Sequence, residues 1–318
     1  MKIRGTVLLL ILIFNRATAQ QFTIPIFPDT QVEVGSMHEM FYSQVNWILK
    51  KRDSLRIPMV LHVGDIVNFN NTDHWEVASK GFDLFDRQRL PYALAVGNHD
   101  TEAVGEFSGS AAPGNTNQNL RRTSFFNAYF PVQRFTNQRG RFEEGKSDNA
   151  YYTFKEGDTN WMILTMEFCP RLGVLNWAED IIRKYYMYNV IILTHYYLTP
   201  KSTIADRNAG YGDFSPQDIF TRVASKYANV LLVLSGHVTK SAFRVDNGVS
   251  GNKVYQILQN YQDEDAGGGY LRLLKIDIDK KMISCQMYSP YYDKIRADSS
   301  TFEFKDVNFL KARSFYKK

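Results

Sequence analysis

Five short clusters in this chain hold residue types that bind cations: Pro28-Asp29-Thr30-Gln31, Gly64-Asp65, Gly97-Asn98-His99-Asp100, Thr194-His195 and Gly236-His237. Their donors are carboxylate, amide oxygen and imidazole, a mixture that suits manganese, zinc or iron and differs from a thiolate site. Each cluster alone is ordinary. A Gly-Asp pair is often a turn, a histidine beside a strand is often a core residue, and Gly-Asn-His-Asp could be a loop with an Asx turn. The five gain weight together, because each stands at or just past the end of a predicted strand, where open α/β sheets gather distant residues into one site. Gly97-Asn98-His99-Asp100 is the most informative, offering a neutral amide ligand, an imidazole and a carboxylate able to orient it.

The elements that must position these clusters follow from the apolar pattern. Residues 22–27, 58–63, 92–96, 161–166, 190–194 and 230–235 read as strands, and 58–63 is apolar enough to be central and buried. Between them, helical spacing is set by Met37, Phe41, Val45, Ile48 and Leu49, and again by Trp75, Ala78, Phe82 and Phe85. Residues 175–185 and 216–227 supply two more helices, so the order is that of a sheet covered by helices. From Ala242 the pattern changes to successive strands at 253–258, 270–276 and 282–288, which predicts a second, largely antiparallel sheet packed on the first. No linker, repeat or low-complexity tract divides the chain, so residues 20–318 are expected to form a single domain. Polar stretches at 102–118, 137–148 and 199–215 lie near the clusters and are candidates for a substrate rim.

The chain has 318 residues, 44% hydrophobic and 22% charged, which excludes intrinsic disorder and allows a large core. Its formal charge of +5 suggests a polyanionic partner, but three of those charges are Lys2, Arg4 and Arg16 in residues 1–19. That stretch reads as a secretory signal peptide, with a basic start, an apolar run from Val7 to Phe14 and a small-x-small site at Ala17-Thr18-Ala19. The run is too short to remain as a helix across the roughly 30 Å hydrocarbon core of a bilayer. Expected, then, are a secreted or periplasmic location, no integral membrane segment in the mature chain and no nucleic-acid partner. Cys169 and Cys285 lack framework spacing, so two buried single thiols are favoured over a bridge.

In these motifs and their order the chain resembles the calcineurin-like metallophosphoesterases, in particular secreted bacterial members with an Asp-Thr-Gln first motif. The resemblance spans nearly all of the chain after the signal segment. It implies an α/β fold, a four-layer αββα sandwich of two stacked mixed sheets with flanking helices. It also implies one or two divalent metal ions (manganese, zinc or iron), usually a pair about 4 Å apart, and a small phosphorylated substrate. Such an enzyme hydrolyses a phosphomonoester or phosphodiester by in-line attack of metal-bound hydroxide. Carried over position by position, Asp65 would bridge the metals, Asn98, His195 and His237 would complete one site, and Asp29 would serve the other. His99 would assist the leaving group, with Asp100 holding its ring.

Two positions depart from the family pattern. Gln31 stands where a first-motif histidine is usual and Thr239 where the last motif has its second histidine, and both losses fall on the same metal site. The Gln31 amide oxygen can still coordinate a hard cation. Asn68 occupies the tyrosine position of the purple acid phosphatases, so a colourless enzyme is expected. The two losses motivate the alternative of a non-catalytic or weakly active exported metal-binding protein that recognises a phosphorylated or sugar ligand at the cell envelope.

Other candidates are weaker. Arg171 is a helix-start residue whose guanidinium could also grip a phosphate, and Lys201 and Arg207 stand in the loop after His195. His62 reads as a core residue or as support for a ligand, and His38 and His74 as solvated or packed. Gly267-Gly268-Gly269 lacks the lysine and helix of a phosphate loop and reads as a bend between strands.

Overall fold

The computed structural model describes residues 20–105, 108–111, 119–208, 210–263 and 267–312. The expected signal peptide and most of the polar stretch 102–118 lie outside the described residues. In chain order the strands are β1 (Gln21–Phe27), β2 (Val60–His62), β3 (Tyr92–Leu94), β4 (Val104–Gly105), β5 (Ser108–Ala111), β6 (Gln138–Arg141), β7 (Ala150–Glu156) and β8 (Thr159–Met166). There follow β9 (Asn189–Thr194), β10 (Val230–Ser235), β11 (Lys240–Asn247), β12 (Lys253–Asn260), β13 (Leu271–Asp277), β14 (Met282–Ser289), β15 (Lys294–Ile295) and β16 (Phe302–Phe304).

Two mixed sheets stack face to face. The first runs β15-β14-β13-β1-β2-β3 with β16 also on β14, and the second runs β11-β12-β10-β9-β8-β7-β6. Neighbouring strands run parallel over β1, β2 and β3, which reach one edge of the first sheet, and over β8, β9, β10 and β12 inside the second. Their apolar alternation explains the layering. Trp161, Ile163, Ile191 and Leu193 point into the sandwich with Phe22, Ile24 and Ile276, while Met162, Leu164, Val190 and Ile192 pack under the helix Leu172–Lys184. Strands covered on both faces read as near-continuous apolar runs, as residues 161–164 of β8 and 190–193 of β9 do.

The outer helices carry matching stripes. In Thr72–Arg87 the buried residues Trp75, Ala78, Phe82 and Phe85 recur at helical spacing, and the Asn71 side chain caps the start by accepting from the His74 backbone N–H at 3.1 Å. The helix His38–Lys51 lays Phe41, Val45 and Ile48 on the first sheet. Each such side chain contributes roughly 1.5–3 kcal/mol by leaving water.

Two expectations about elements need correction. The strands after Ala242 do not build a sheet of their own. β12 enters the second sheet parallel to β10, whereas β13 crosses to the first and pairs antiparallel with β1. Seven of the eight residues of β12 are buried, against every second residue of β14, which is the difference between an interior strand and one with a wet face. The stretch 137–148 is also not simply a loop, since β6 pairs there with β7. Its Gln-Arg-Gly-Arg sequence has no apolar alternation because it is a sheet edge. The segment 216–227 begins as the helix Pro216–Ile219 behind a Ser215–Asp218 capping box, then widens to a π turn over Phe220–Ala224. Cys169 and Cys285 are both buried and unpaired.

A buried acid ties the first helix, Gln31–Ser36, to the bend at Gly267-Gly268-Gly269. Gln44 donates from Nε2 to Glu33 Oε1 at 3.4 Å and to the Tyr270 carbonyl at 3.2 Å, and the Gly269 N–H also bonds Glu33. Burial pushes the Glu33 carboxyl up from 4.5 to about 8, only partly opposed by those hydrogen bonds. The folded state therefore keeps a proton that the unfolded state has already released, and stability falls as pH rises through that window, by at most roughly 1.4 kcal/mol per unit. Glu33→Gln preserves an acceptor for both donors while removing the ionisation. Thermal melts at about pH 5, 6.5 and 8 should show the wild type losing stability and the variant holding level; parallel slopes would remove Glu33 from this role.

Candidate metal centre

The central strands of both sheets present their carboxyl ends to one shared edge. From the first sheet come Asp29 after β1, Asp65 after β2 and Asn98 after β3. From the second come Phe168 after β8, His195 after β9, His237 after β10 and Asn260 at the end of β12. Contacts between the sheets close the site. His195 Nε2 lies 3.1 Å from Asp65 Oδ2, and the His237 N–H donates to Asp29 Oδ2 at 2.9 Å. The turns carrying these ligands are tight. Asp65 and His237 adopt left-handed φ values of 53° and 68°, each costing about 1–3 kcal/mol that surrounding contacts must offset. The approach of backbone to carboxylate also requires glycine, since a Cβ on Gly97 would stand 2.1 Å from Asp65 Oδ1 and one on Gly236 2.0 Å from Asp29 Oδ1.

Donor and acceptor roles define what this edge can hold. His195 Nδ1 is 2.9 Å from the Val63 carbonyl oxygen and must donate to it, which directs the lone pair of a neutral ring at Nε2. Among the described residues of these clusters three buried oxygens have no hydrogen-bond partner, Asp29 Oδ1, Gln31 Oε1 and Asn98 Oδ1, while His195 Nε2 meets Asp65 Oδ2. All three are acceptors, so none can satisfy another, and each left alone costs about 1–3 kcal/mol. Donor atoms of Asp65, His195 and His237 also lie within 4.8 Å of one another. A set made only of acceptors fits a cation, and the residues present fit a divalent metal.

The electrostatics agree. Burial pushes the Asp29 carboxyl well above the usual carboxylate range, partly opposed by the His195 charge. Burial acts the same way on Asp65, but the imidazoles of His195, His99 and His237 outweigh it and hold that carboxyl below its ordinary range. Burial would depress His195, yet Asp65 and Asp29 raise it to about 9. His237, dominated by burial and then by the His195 charge, drops to about 3.

Asn260 has no counterpart in the sequence analysis. Its Nδ2 donates to Asp29 Oδ2 at 2.7 Å, so that oxygen takes two donors and Oδ1 alone faces the site. The signal that could have found it is positional, since β12 is one more parallel strand ending on the same edge.

His99 and Asp100 are both in place, but their expected coupling is not. Asp100 Oδ1 accepts from the Ile66 and Val67 N–H groups at 2.8 and 3.2 Å, and Oδ2 from the Gly97 N–H at 2.8 Å. It braces the loop after β2 against the loop after β3. The His99 ring is held instead by the Asn68 carbonyl, which accepts from Nδ1 at 2.7 Å, while the His99 backbone N–H donates to Asp65 Oδ1 at 2.9 Å. His62 supports the first cluster from the core. The Gly64 N–H donates to its Nδ1 at 3.1 Å, so Nε2 donates to Thr30 Oγ1 at 2.9 Å, and that hydroxyl donates to the Ile66 carbonyl at 3.0 Å.

Arg171, considered for a phosphate grip, is engaged by two carboxylates. Its Nε and Nη2 form a fork on the two Glu167 oxygens, both at 2.9 Å, and Nη2 also reaches Glu143 at 3.0 Å. A guanidinium committed to two carboxylates serves the start of the helix Leu172–Lys184. Lys201 and Arg207 are exposed on the loop after His195, and Thr239 lies in the turn after His237.

Residues 28–240 match the family model described as calcineurin-like phosphoesterase. An uncharacterized protein of Bacillus subtilis (strain 168), YvnB, is 29% identical over 297 residues, which are 90% of this chain and 21% of that protein. The chain thus spans about a fifth of the length of the curated relative it matches. Among solved structures, purple acid phosphatase PPD1 from yellow lupin (Lupinus luteus) is similar with a TM-score of 0.52 and 13% identity, covering 91% of this chain and 54% of that one. The NAD nucleotidase NadN of Haemophilus influenzae has a TM-score of 0.46 and 11% identity over 91% of this chain and 54% of its own. The matched residues contain every cluster from Asp29 to His237, whereas Asn260 falls beyond them.

Unpartnered acceptors make a direct prediction. After chelation, added manganese or zinc should raise the melting temperature of the chain by several degrees, as binding to the folded state alone requires. His195→Ala should abolish the rise, whereas Arg171→Ala, outside the acceptor set, should keep it. A metal-independent melting temperature in the wild type would contradict the cation reading.

Proposed function

The chain belongs to the calcineurin-like phosphoesterase family, and from that premise we propose that residues 20–318 form one domain that hydrolyses phosphoesters with a divalent metal. The three buried oxygens without partners carry this reading, because a purely structural site would satisfy them from within the protein. Asp65, Asn98, His195 and His237 would hold one cation, and Asp29 with Gln31 would offer oxygens to a second. Metal held there supplies Lewis acidity, lowering the pKa of a water and drawing charge from phosphoryl oxygens.

The chain's own groups do the rest. His99 donates from Nδ1 to the Asn68 carbonyl, which leaves Nε2 as the atom that exchanges a proton. Its role in this reading is to deliver that proton to the departing ester oxygen. Asp100 is a positioning residue, since the loops bearing Asp65 and Asn98 both hang from its carboxylate. Burial, and then the Asp65 charge, raise Asp100 to about 7, against three backbone N–H groups that favour its ionised form. Export completes the proposal and rests on the pattern of residues 1–19. No described helix is long and apolar enough to cross a membrane.

Turnover of chromogenic phosphomonoesters and phosphodiesters by chelated, remetallated protein tests the reading. Asp65→Asn and His237→Ala should each lower kcat by at least about a hundredfold. His99→Ala should cost about 10²–10⁴-fold for an alkyl ester and far less for a nitrophenyl ester, whose leaving group needs no proton. Metal bound without turnover of either ester class would favour the alternative of a non-catalytic exported metal-binding protein, for which the departures at Gln31 and Thr239 are the motive.

A further inference from the structure

One side of the metal centre is walled by aromatic rings. The Phe168 ring stands edge-on to His237, with centroids 4.9 Å apart and planes at 88°, and packs 5.5 Å from His195. Tyr196 stacks on Phe168 at 5.5 Å and 17°, and it also meets His237 at 5.1 Å. Tyr211 closes the row, 5.3 Å from Phe168 and 6.3 Å from His237. The row grades outward from Phe168, which is buried, to Tyr211, which is partly exposed.

Tyr211 comes from the long polar loop 199–215, yet its backbone is fixed on both sides. The Tyr211 N–H donates to the Asn208 carbonyl at 2.9 Å, and Asn208 Nδ2 returns to the Gly212 carbonyl at 3.1 Å. The Asp213 N–H donates to the Cys169 carbonyl at 3.1 Å. Arg121 locks the two loops together, donating to the Phe168 and Cys169 carbonyls at 2.8 and 2.6 Å and to Asp213 Oδ2 at 3.2 Å. A partly exposed ring held this firmly beside candidate ligands loses little entropy when something flat packs on it. Arg121 is already occupied in that clamp, and Arg171 in its own with Glu167. The wall therefore offers ring faces, and the Arg121 and Arg171 guanidiniums beside it are engaged by protein groups.

We infer that Tyr211, with Tyr196 and Phe168 behind it, is a specificity-determining surface that packs against a planar aromatic leaving group, so that the preferred substrates are aryl or nucleoside phosphoesters. The inference rests on the proposed phosphoesterase reading and adds the substrate class. Ring-on-ring packing of this kind is worth about a tenfold preference or somewhat more.

Phenylphosphonate and methylphosphonate cannot be hydrolysed, so their affinities separate recognition from chemistry. Titrated calorimetrically into the manganese-loaded full chain, phenylphosphonate should bind about tenfold tighter than methylphosphonate. Tyr211→Ala should bring the two affinities within about twofold, Tyr211→Phe should keep the gap, and Tyr186→Ala, at an exposed position away from this loop, should change neither. Equal affinities in the wild type, or a gap that survives in a folded Tyr211→Ala, would overturn the inference while leaving the phosphoesterase reading intact. Failure of both phosphonates to bind would overturn both.

Discussion

Two carboxylates with almost no access to water, Asp29 and Asp65, stand at the edge where the sheets meet, and the surrounding architecture answers the charge they carry. Buried anions are tolerated only with donors or cations. The protein supplies donors to one oxygen of each: the His237 N–H and Asn260 amide to Asp29 Oδ2, and the His99 N–H to Asp65 Oδ1. It stops there: Asp29 Oδ1 has no donor among the described residues, and Asp65 Oδ2 meets the His195 ring at 3.1 Å. A chain selected only for stability would have filled the gap with one more amide or hydroxyl. Left-handed turns at Asp65 and His237 and two glycines pressed against the carboxylates show the same preference for placement over ease of folding.

The sheet topology makes this convergence possible. Parallel strands send every carboxyl end the same way, and with two such sheets stacked, seven residues between Asp29 and Asn260 reach one rim. Antiparallel strands flank the parallel set on both sides in the second sheet and on the β1 side alone in the first, where β3 is the edge. Thus β13 covers the free side of β1 and β7 that of β8. The apolar groups holding the sheets together stay below the rim, and only Phe168 and the two tyrosines carry the aromatic packing up to the ligands.

How much of this was legible depended on whether it was written in side chains and local period. The central strands β1, β2, β3, β8, β9 and β10 and three principal helices follow from apolar runs, and a strand end beside Asp, Asn or His marked the candidate ligands from Asp29 to His237. Asn260 was not legible, because nothing in its own neighbourhood says that β12 lies parallel to β10. The Asn68 carbonyl under His99 is a backbone group, and every residue has one. Asp100 was assigned to its sequence neighbour, whereas the donors that bind it are three backbone amides from two loops. Arg171 suggested a phosphate grip only while Glu167 and Glu143 were unplaced, and the 24 residues separating those two glutamates hide a three-way cluster that β6 and β7 bring together.

The departures at Gln31 and Thr239 acquire a physical meaning from this inventory. With one oxygen of each carboxylate already used by the protein, the proposed centre offers Asp29 Oδ1, Asp65 Oδ2, the amide oxygens of Asn98 and Gln31, and the imidazoles of His195 and His237. Amides outnumber what a zinc pair prefers, and the imidazoles cluster with Asp65 and not with Asp29. Asp29 and Gln31 present oxygen alone, a donor set that discriminates against softer cations and favours manganese or magnesium with water completing the shell. One divalent ion balances the two carboxylates, and a second leaves net positive charge facing the dianionic phosphate. On the proposed reading the loss of two histidines therefore weakens retention of the second ion without removing its electrostatic purpose, which is to draw the phosphate to an edge whose neighbouring arginines are held by the protein itself.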